Sequence, residues 1–435
     1  MKIRLIIIFY CLLFIILFLS IKFLSILPVL ICIWVIALFY PVIYYFLKKS
    51  DTKNRKDLLF FFLAGLLIRI LFFNVNPEVL SDDVYRYIWD GKVQYHGINP
   101  YLHPPDSEEL NNLKDNIYFP KINHKQYRTI YPPLSQFIFL LSYAVSGNSF
   151  IFYRILYLLC DFLICFVIYK LLHKKKFILL LVFSPIIILE AYIGIHIDII
   201  GVALFIAALY FYIKNKDFPA LVFALLACFI KYIFIFALPL FFIYHKQTNI
   251  FTGYIKLPDI VKTLAAKIVI TILITIGLYL PFFNNFIFEQ LFIYNKYWEF
   301  NSSLYSIIKF LFNNSASTVK LALTGLSLFF IYLHKNLIFT DKIKYSLWAA
   351  LLLNNVLYPW YLLWIVPLLV FKISREELFL ISIIFLSYFV LIKYKTEGIW
   401  EENIFIILIE YLPFYFMLFY RIIKKKLCTE KRKLQ

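Results

Sequence analysis

The chain has 435 residues, 63% of them hydrophobic and only 16% charged, against roughly half and a quarter in soluble domains, so a soluble globular protein is excluded and an integral membrane protein is implied. Its formal charge of +19 does not point to nucleic acid. The basic residues gather in short connectors beside apolar runs, at 48 to 56, 173 to 176, 214 to 216 and 424 to 433, which is the pattern of cytoplasmic loops in membrane proteins.

A spanning helix needs about 20 apolar residues, and the first candidates fall at 4 to 24, 27 to 47 and 57 to 74. The opening "MKIR" is basic like the start of a signal peptide. The apolar run behind it is too long and lacks a small-residue cleavage site, so it reads as a retained span. Residues 75 to 133 are polar and carry six Lys/Arg against eight Asp/Glu, which predicts a loop on the face opposite the basic connectors. The run 134 to 146 is short enough to be re-entrant or interfacial as well as spanning. Further spans are predicted at 150 to 171, 177 to 191, 197 to 213, 265 to 283, 317 to 333, 378 to 394 and 403 to 421. Two longer stretches, 218 to 244 and 345 to 371, read as pairs of crossings that turn near Lys231 and near "NNVLYPWY".

The expected fold is therefore all-α. It is a polytopic bundle of about 12 to 14 spans, one integral membrane domain over 1–435 with an extracytoplasmic loop at 75–133 and both termini cytoplasmic. This topology brings the 75–133 loop, "EAYIGIHID" (190 to 198), Lys231, the segment 284 to 303, "NNVLYPWY" and "KTEGIWEEN" (395 to 403) to one face. The six cysteines lie in apolar runs or in the basic tail, and no disulfide is expected.

Within the loop, "SDDVYRYIWDGKVQYHGINPY" (81 to 101) is the densest chemistry. Asp82 and Asp83 lie just past a span end, where like-charge repulsion can raise one into a general base near neutral pH; interfacial acids also simply solvate loops. On a regular helix or strand two adjacent acids cannot both enter one pocket, so only one of Asp82 and Asp83 is expected to act. Tyr85, Tyr87, Trp89 and Tyr101 interleave with Arg86 and Asn99, as in sites that stack a sugar ring and bind its hydroxyls.

Ionisable groups inside apolar runs usually line cavities or pathways; here they are Arg69, Arg154, Asp161, Glu190, His196, Asp198 and Lys231. Arg69 and Arg154 can instead snorkel to an interface, and Asp161 reads as a buried packing residue. Glu190, His196 and Asp198 bracket one turn; they suit hydroxyl binding or structural hydrogen bonds, and could hold a divalent metal. Lys231 is placed to bind a phosphate or to sit as an interfacial lysine. Trp360, Tyr361 and Trp364 read as an aromatic belt. A transporter or flippase would line its path with Glu190, Asp198 and Lys231, but transporters commonly show two related halves, and here the polar groups crowd one face.

Taken together, "SDDVYRYIWDGKVQYHGINPY", "TIYPPLSQFIF", "EAYIGIHIDIIGVAL", "CFIKYIFIFALPLFF", "EFNSSLYSII" and "YPWYLLWIVPLL" resemble, in this order over roughly residues 57 to 372, the bacterial alpha-mannosyltransferases of the GT-C superfamily. The resemblance implies an inverting glycosyltransferase of the bacterial inner membrane. It would move a hexose, mannose by this likeness, from a polyprenyl-phosphate donor to a lipid-linked or cell-envelope glycan acceptor, with membrane lipid around it, no nucleic-acid partner and no required cofactor. It places the base on Asp83 with Asp82 beside it, and the family's lysine-plus-proline helix on Lys231 and Pro239, with Arg86 as a second cation for the donor phosphate. Sugar and acceptor contacts are then expected at Tyr85, Tyr87, Trp89, Asn99, Tyr101, Glu190, His196, Asp198, Trp360 and Tyr361. Two extra spans before residue 57 depart from the family pattern and move the loop from after the first span to after the third.

Overall fold

The computed structural model describes residues 2–50, 55–245, 248–249 and 257–433; part of the basic connector predicted at 48 to 56 therefore lies outside the described residues. Apart from two-residue strands at Tyr244–His245 and Thr248–Asn249, which pair antiparallel, the described secondary structure is helical.

Helices α1 (Lys2–Phe23) and α2 (Ile26–Lys49) form a hairpin because only two residues separate them. On α2 the positions Val29, Leu30, Ile33, Ile36, Ala37 and Tyr40 are buried, whereas Leu27, Ile31, Val35 and Leu38 are exposed. A helix apolar on both faces is stable with its outer face in lipid. Helix α3 (Arg55–Leu71) follows. Nine helices among the described residues are long and apolar enough to cross a membrane: Ile3–Phe23, Ile26–Lys49, Lys56–Asn74, Ile151–Leu171, Lys175–Ile193, Val261–Phe282, Leu304–Leu333, Arg375–Glu397 and Ile404–Lys425.

Three apolar helices are shorter: Pro133–Ser146, Asp198–Ile213 and Asp217–Cys228. The segment predicted as a span at 197 to 213 is the 16-residue helix Asp198–Ile213, about 24 Å long at 1.5 Å per residue, against a hydrocarbon core of about 30 Å. The two stretches read as pairs of crossings are broken helices. Asp217–Cys228 ends before an extended Lys231 (φ −146°, ψ 126°), a 3-10 turn at Tyr232–Phe236 and a short helix at Leu238–Ile243. Phe339–Leu352 likewise gives way to an irregular stretch and the 3-10 turn Pro359–Trp364, which opens on a proline that has no N–H to donate. Irregular backbone at such depth is tolerated where protein satisfies it. Ser135 N and Oγ donate to the carbonyls of Phe229 (3.3 Å) and Ile230 (2.9 Å), and Phe300 pairs with the strand-like 355–357 through Phe300 N to Asn355 O (3.1 Å) and Leu357 N to Phe300 O (2.8 Å).

Charged side chains tie the bundle together beneath the site. Arg69 on α3 pairs with Asp161 at 2.5 Å and donates to the Val182 carbonyl at 2.8 Å, while Tyr192 OH donates to Asp161 at 3.1 Å. Arg154 donates to the carbonyls of Phe73 and Val75, where α3 ends. Both arginines are buried rather than snorkelling, and Asp161 is the packing residue expected of it.

The polar segment 75–133 is folded against the bundle. It contains helix α4 (Asp83–Tyr95) and short 3-10 turns at Glu108–Leu113 and Phe119–Lys121, and it runs into helix α5 (Pro133–Ser146) and helix α6 (Ile151–Leu171). Helix α5 begins at Pro132-Pro133, where a missing N–H costs nothing. Helices α4 and α5 approach backbone to backbone at Gly91, where an added Cβ would stand 2.2 Å from the carbonyl oxygen of Phe139. Tyr87 stacks on Phe139 (centroids 4.7 Å, 6°), and Gln136 bridges Gln94 (2.8 Å) to Asp90 (3.0 Å). This pair of helices sets the orientation of the start of α4, where Asp83 opens the first turn and Asp82 precedes it.

Candidate active site

A cavity of about 1010 Å³ opens at the start of α4, lined by Asp82, Asp83, Arg86, Asn123, His124, Tyr131 and Lys231 from the earlier part of the chain, and by Tyr294, Trp298, Tyr358, Trp360, Tyr361, Tyr388, Lys395 and Trp400 from the later part. Two acids at the head of a helix are favoured by its dipole. The expectation that only one could enter the pocket does not hold. Asp82 is the residue before the first helical turn, with φ −104° and ψ 1°, so helical spacing does not constrain its side chain. Both carboxylates accept from the same amide, Asn123 Nδ2, at 2.7 Å to Asp82 and 3.0 Å to Asp83. Burial first, and the neighbouring Asp83 charge second, push the Asp82 carboxyl up to about 6.

The cations are partly engaged. Arg86 gives Nε to Asp90 (2.8 Å) and Nη1 to the Tyr127 carbonyl (2.9 Å), which leaves buried Nη2, beside the cavity, with no hydrogen-bond partner among the described residues. Lys231, released from helical geometry by the break after Cys228, stands 3.4 Å from Asp198 and 5.1 Å from the centre of the Tyr131 ring. Asp198 also accepts from Trp364 Nε1 at 2.7 Å. No acid lies near Lys231 in the sequence; the fold brings one from the earlier helix Asp198–Ile213. Burial lowers His124 below the ordinary imidazole value, so at neutral pH it is an uncharged lining group.

Behind the two aspartates lies a fully buried row. Its Glu190 sits on a π-helical turn, Ile188–Ile193, a geometry frequent at functional positions. His196 Nδ1 is 3.7 Å from Asp83 Oδ2, and His196 Nε2 is 3.4 Å from Glu190 Oε2. Tyr388 OH reaches both Glu190 oxygens, at 2.9 and 2.8 Å.

The residues predicted to touch sugar or acceptor divide sharply. Trp360 and Tyr361 line the cavity, but the indole of Trp360 is sandwiched between Tyr358 and His196, each at 4.1 Å, so only its edge is open. Tyr361 stacks on Trp364 (4.3 Å) and shares a hydrogen bond with Tyr294 (2.8 Å). Glu190, His196 and Asp198 are completely buried and lie behind the cavity wall. Tyr85, Tyr87, Trp89, Asn99 and Tyr101 do not line the cavity. Tyr85 OH binds Glu78, Tyr87 lies within the α4–α5 contact, Trp89 packs on Phe119 (5.2 Å), Asn99 donates to the Phe282 carbonyl (3.0 Å), and Tyr101 OH donates to the Tyr131 carbonyl. Through these contacts they hold the loop against the bundle. Among the described residues no group of three or more His, Cys, Asp and Glu side chains could hold a metal ion.

Asn123, Tyr294, Trp298 and Tyr388 went unrecognised in the sequence. Asn123 lies in a stretch without periodicity and carries no signal. Tyr388 carries a weak one, a hydroxyl within an apolar run.

Residues 23–246, just over half the chain, match the family described as alpha-(1->6)-mannopyranosyltransferase, N-terminal domain. The matched region contains Asp82, Asp83, Arg86, Glu190, His196, Asp198 and Lys231. No curated protein and no solved structure matches the chain.

Proposed function

Because the chain belongs to the alpha-(1->6)-mannopyranosyltransferase family and is a glycosyltransferase acting on mannose, we propose that it takes mannose from a polyprenyl-phosphate donor and passes it, with inversion, to a glycan or glycolipid acceptor. One observation carries this reading: the Asp82–Asp83 pair faces the same 1010 Å³ volume as Lys231 and Arg86. A base and two cations around one space suit a displacement in which a hydroxyl is activated at one end and a phosphate leaves at the other.

In the proposed step the acceptor oxygen forms a bond to the anomeric carbon while the bond from that carbon to the phosphate oxygen breaks. The electron pair stays on the polyprenyl phosphate, and the acceptor proton goes to Asp83. One displacement inverts the anomeric centre. Negative charge grows on the leaving phosphate, so the unpartnered Arg86 Nη2 and the Lys231 ammonium stabilise the transition state more than the ground state. The phosphodiester leaves without a metal in this scheme, and no other cofactor is invoked. A lipid donor accounts for the setting, since its isoprenoid tail remains in hydrocarbon while its phosphate reaches the cavity. Asp82, Asp83, Lys231 and Arg86 are the residues assigned to the reaction.

The test is transfer of labelled mannose from a defined polyprenyl-phosphate mannose by the purified protein. Replacing a positioned base typically removes about two to four orders of magnitude of rate. Asp83→Asn is expected to lose that much while still binding the donor. Near wild-type transfer by Asp83→Asn would move the role to Asp82.

A further inference from the structure

We propose that His196 is a positioning residue for Asp83, holding the carboxylate through its Nδ1–H, with Glu190 and Tyr388 fixing the tautomer from behind. The inference rests on Asp83 being the base.

Three observations lead to it. The imidazole is fully buried, and neither ring nitrogen has a hydrogen-bond partner among the described residues. Leaving a buried polar atom unpaired is unfavourable, yet each nitrogen faces a carboxylate oxygen, at 3.7 Å for Asp83 and 3.4 Å for Glu190. Both separations lie just beyond hydrogen-bond length, so the two carboxylates are the groups placed to pair with the ring.

The ring is also held in its plane. It ends a four-ring stack in which Phe300 lies on Tyr358 (4.5 Å), Tyr358 on Trp360 (4.1 Å) and Trp360 on His196 (4.1 Å, 14°). The chain around it is shaped to admit it. A Cβ at Gly194 would stand 2.8 Å from the imidazole, and Ile195 takes φ +54°, a left-handed conformation that a β-branched residue seldom adopts. Strain of that kind persists only where the surrounding structure imposes it, and it gathers at functional sites.

Hydrogen-bond counting then orders the row. A neutral imidazole offers one donor and one acceptor. With Nδ1–H directed at Asp83, Nε2 accepts, and the proton between Nε2 and Glu190 sits on the carboxyl, whose oxygens also receive Tyr388 OH. Asp83 is thereby held from two sides, Oδ1 by Asn123 at 3.0 Å and Oδ2 by His196. Each oxygen retains a lone pair for the acceptor hydroxyl. An aspartate fixed in this way is preorganised for proton abstraction.

Amide substitutions separate this role from packing. An asparagine at 196 places its N–H where Nδ1 stood, a glutamine where Nε2 stood, and a phenylalanine keeps only the stack on Trp360. Using purified full-length protein and labelled polyprenyl-phosphate mannose, His196→Asn should keep kcat within about tenfold of wild type, whereas His196→Gln and His196→Phe should lose about 100-fold or more with donor KM unchanged. Full activity in His196→Phe, or greater activity in His196→Gln than in His196→Asn, would overturn the proposal. Should the His196 variants fail to fold, Glu190→Gln and Glu190→Met answer the same question. The glutamine supplies a permanent donor toward Nε2 and should retain turnover; the methionine should lose it, and a fully active Glu190→Met would refute the row. Asp83→Asn run alongside separates the two levels. An active Asp83→Asn defeats the base assignment itself, while an inactive Asp83→Asn beside a fully active His196→Phe defeats only the role given to His196.

Discussion

Asn123 reaches the Asp82 and Asp83 carboxylates with one amide nitrogen, at 2.7 and 3.0 Å, and so holds two like charges together that would otherwise splay apart. The cost appears on Asp82, whose carboxyl is pushed from 3.8 to about 6 by burial and by Asp83. A carboxyl raised on folding holds its proton more tightly in the native state. Its contribution to stability is therefore complete below 3.8 and is lost as pH rises through about 6. Asp82→Asn removes that dependence. Relative to wild type, the variant should gain melting temperature between pH 5 and pH 8, measured by thermal unfolding of the detergent-solubilised protein across that range. An unchanged difference at the two pH values would show that Asp82 does not titrate there. The pair was legible in the sequence as two acids past a span end. Its geometry was not, because whether Asp82 lies inside or before the helix depends on Ser81 Oγ, which accepts from the Asp83 N–H at 3.2 Å, and on Asn123, forty residues away.

Helices α4 and α5 form the element that carries these acids, and their separation is set by Gly91. An alanine there would place Cβ 2.2 Å from the Phe139 carbonyl oxygen and 3.1 Å from the Tyr143 side chain. Backbone cannot rotate away as a side chain can, so the two helices must part. Overpacking of this kind typically costs about 1–3 kcal/mol. Gly91→Ala is expected to melt earlier than wild type and to transfer mannose more slowly, since the shift runs along α4 to Asp83. Equal melting temperature and equal turnover would mean that the contact is looser than the structure shows. Long apolar elements such as α1, α2 and α6 were readable from composition, because a run of about 20 apolar residues has few alternatives to spanning. The broken helices after Cys228 and Leu352 were not, because their irregular backbone is stabilised by distant partners, Ser135 for one and Phe300 for the other.

At the scale of the whole molecule, the matched region supplies the acids and cations assigned to the reaction, and the remainder closes the cavity with Tyr294, Trp298, Tyr358, Tyr388 and Lys395. Where this cavity opens relative to the membrane turns on α5. That helix has 14 residues, about 21 Å, short of a hydrocarbon core of about 30 Å, and it lies against α4 through Gly91, Tyr87 and Gln136. If α5 stays on the side of the 75–133 segment, α6 makes the next crossing and the basic cluster at 173 to 176 reaches the opposite face, as the charge asymmetry requires. If α5 crosses, both segments share one face. The two arrangements are distinguished by single cysteines, Asn112→Cys and Lys174→Cys, in a background with the native cysteines replaced. Both positions are exposed in the structure. An impermeant maleimide applied to intact cells should label Asn112→Cys at once and Lys174→Cys only after permeabilisation. Labelling of both in intact cells would show that α5 spans, and labelling of Lys174→Cys alone would reverse the orientation and turn the cavity toward the cytoplasm.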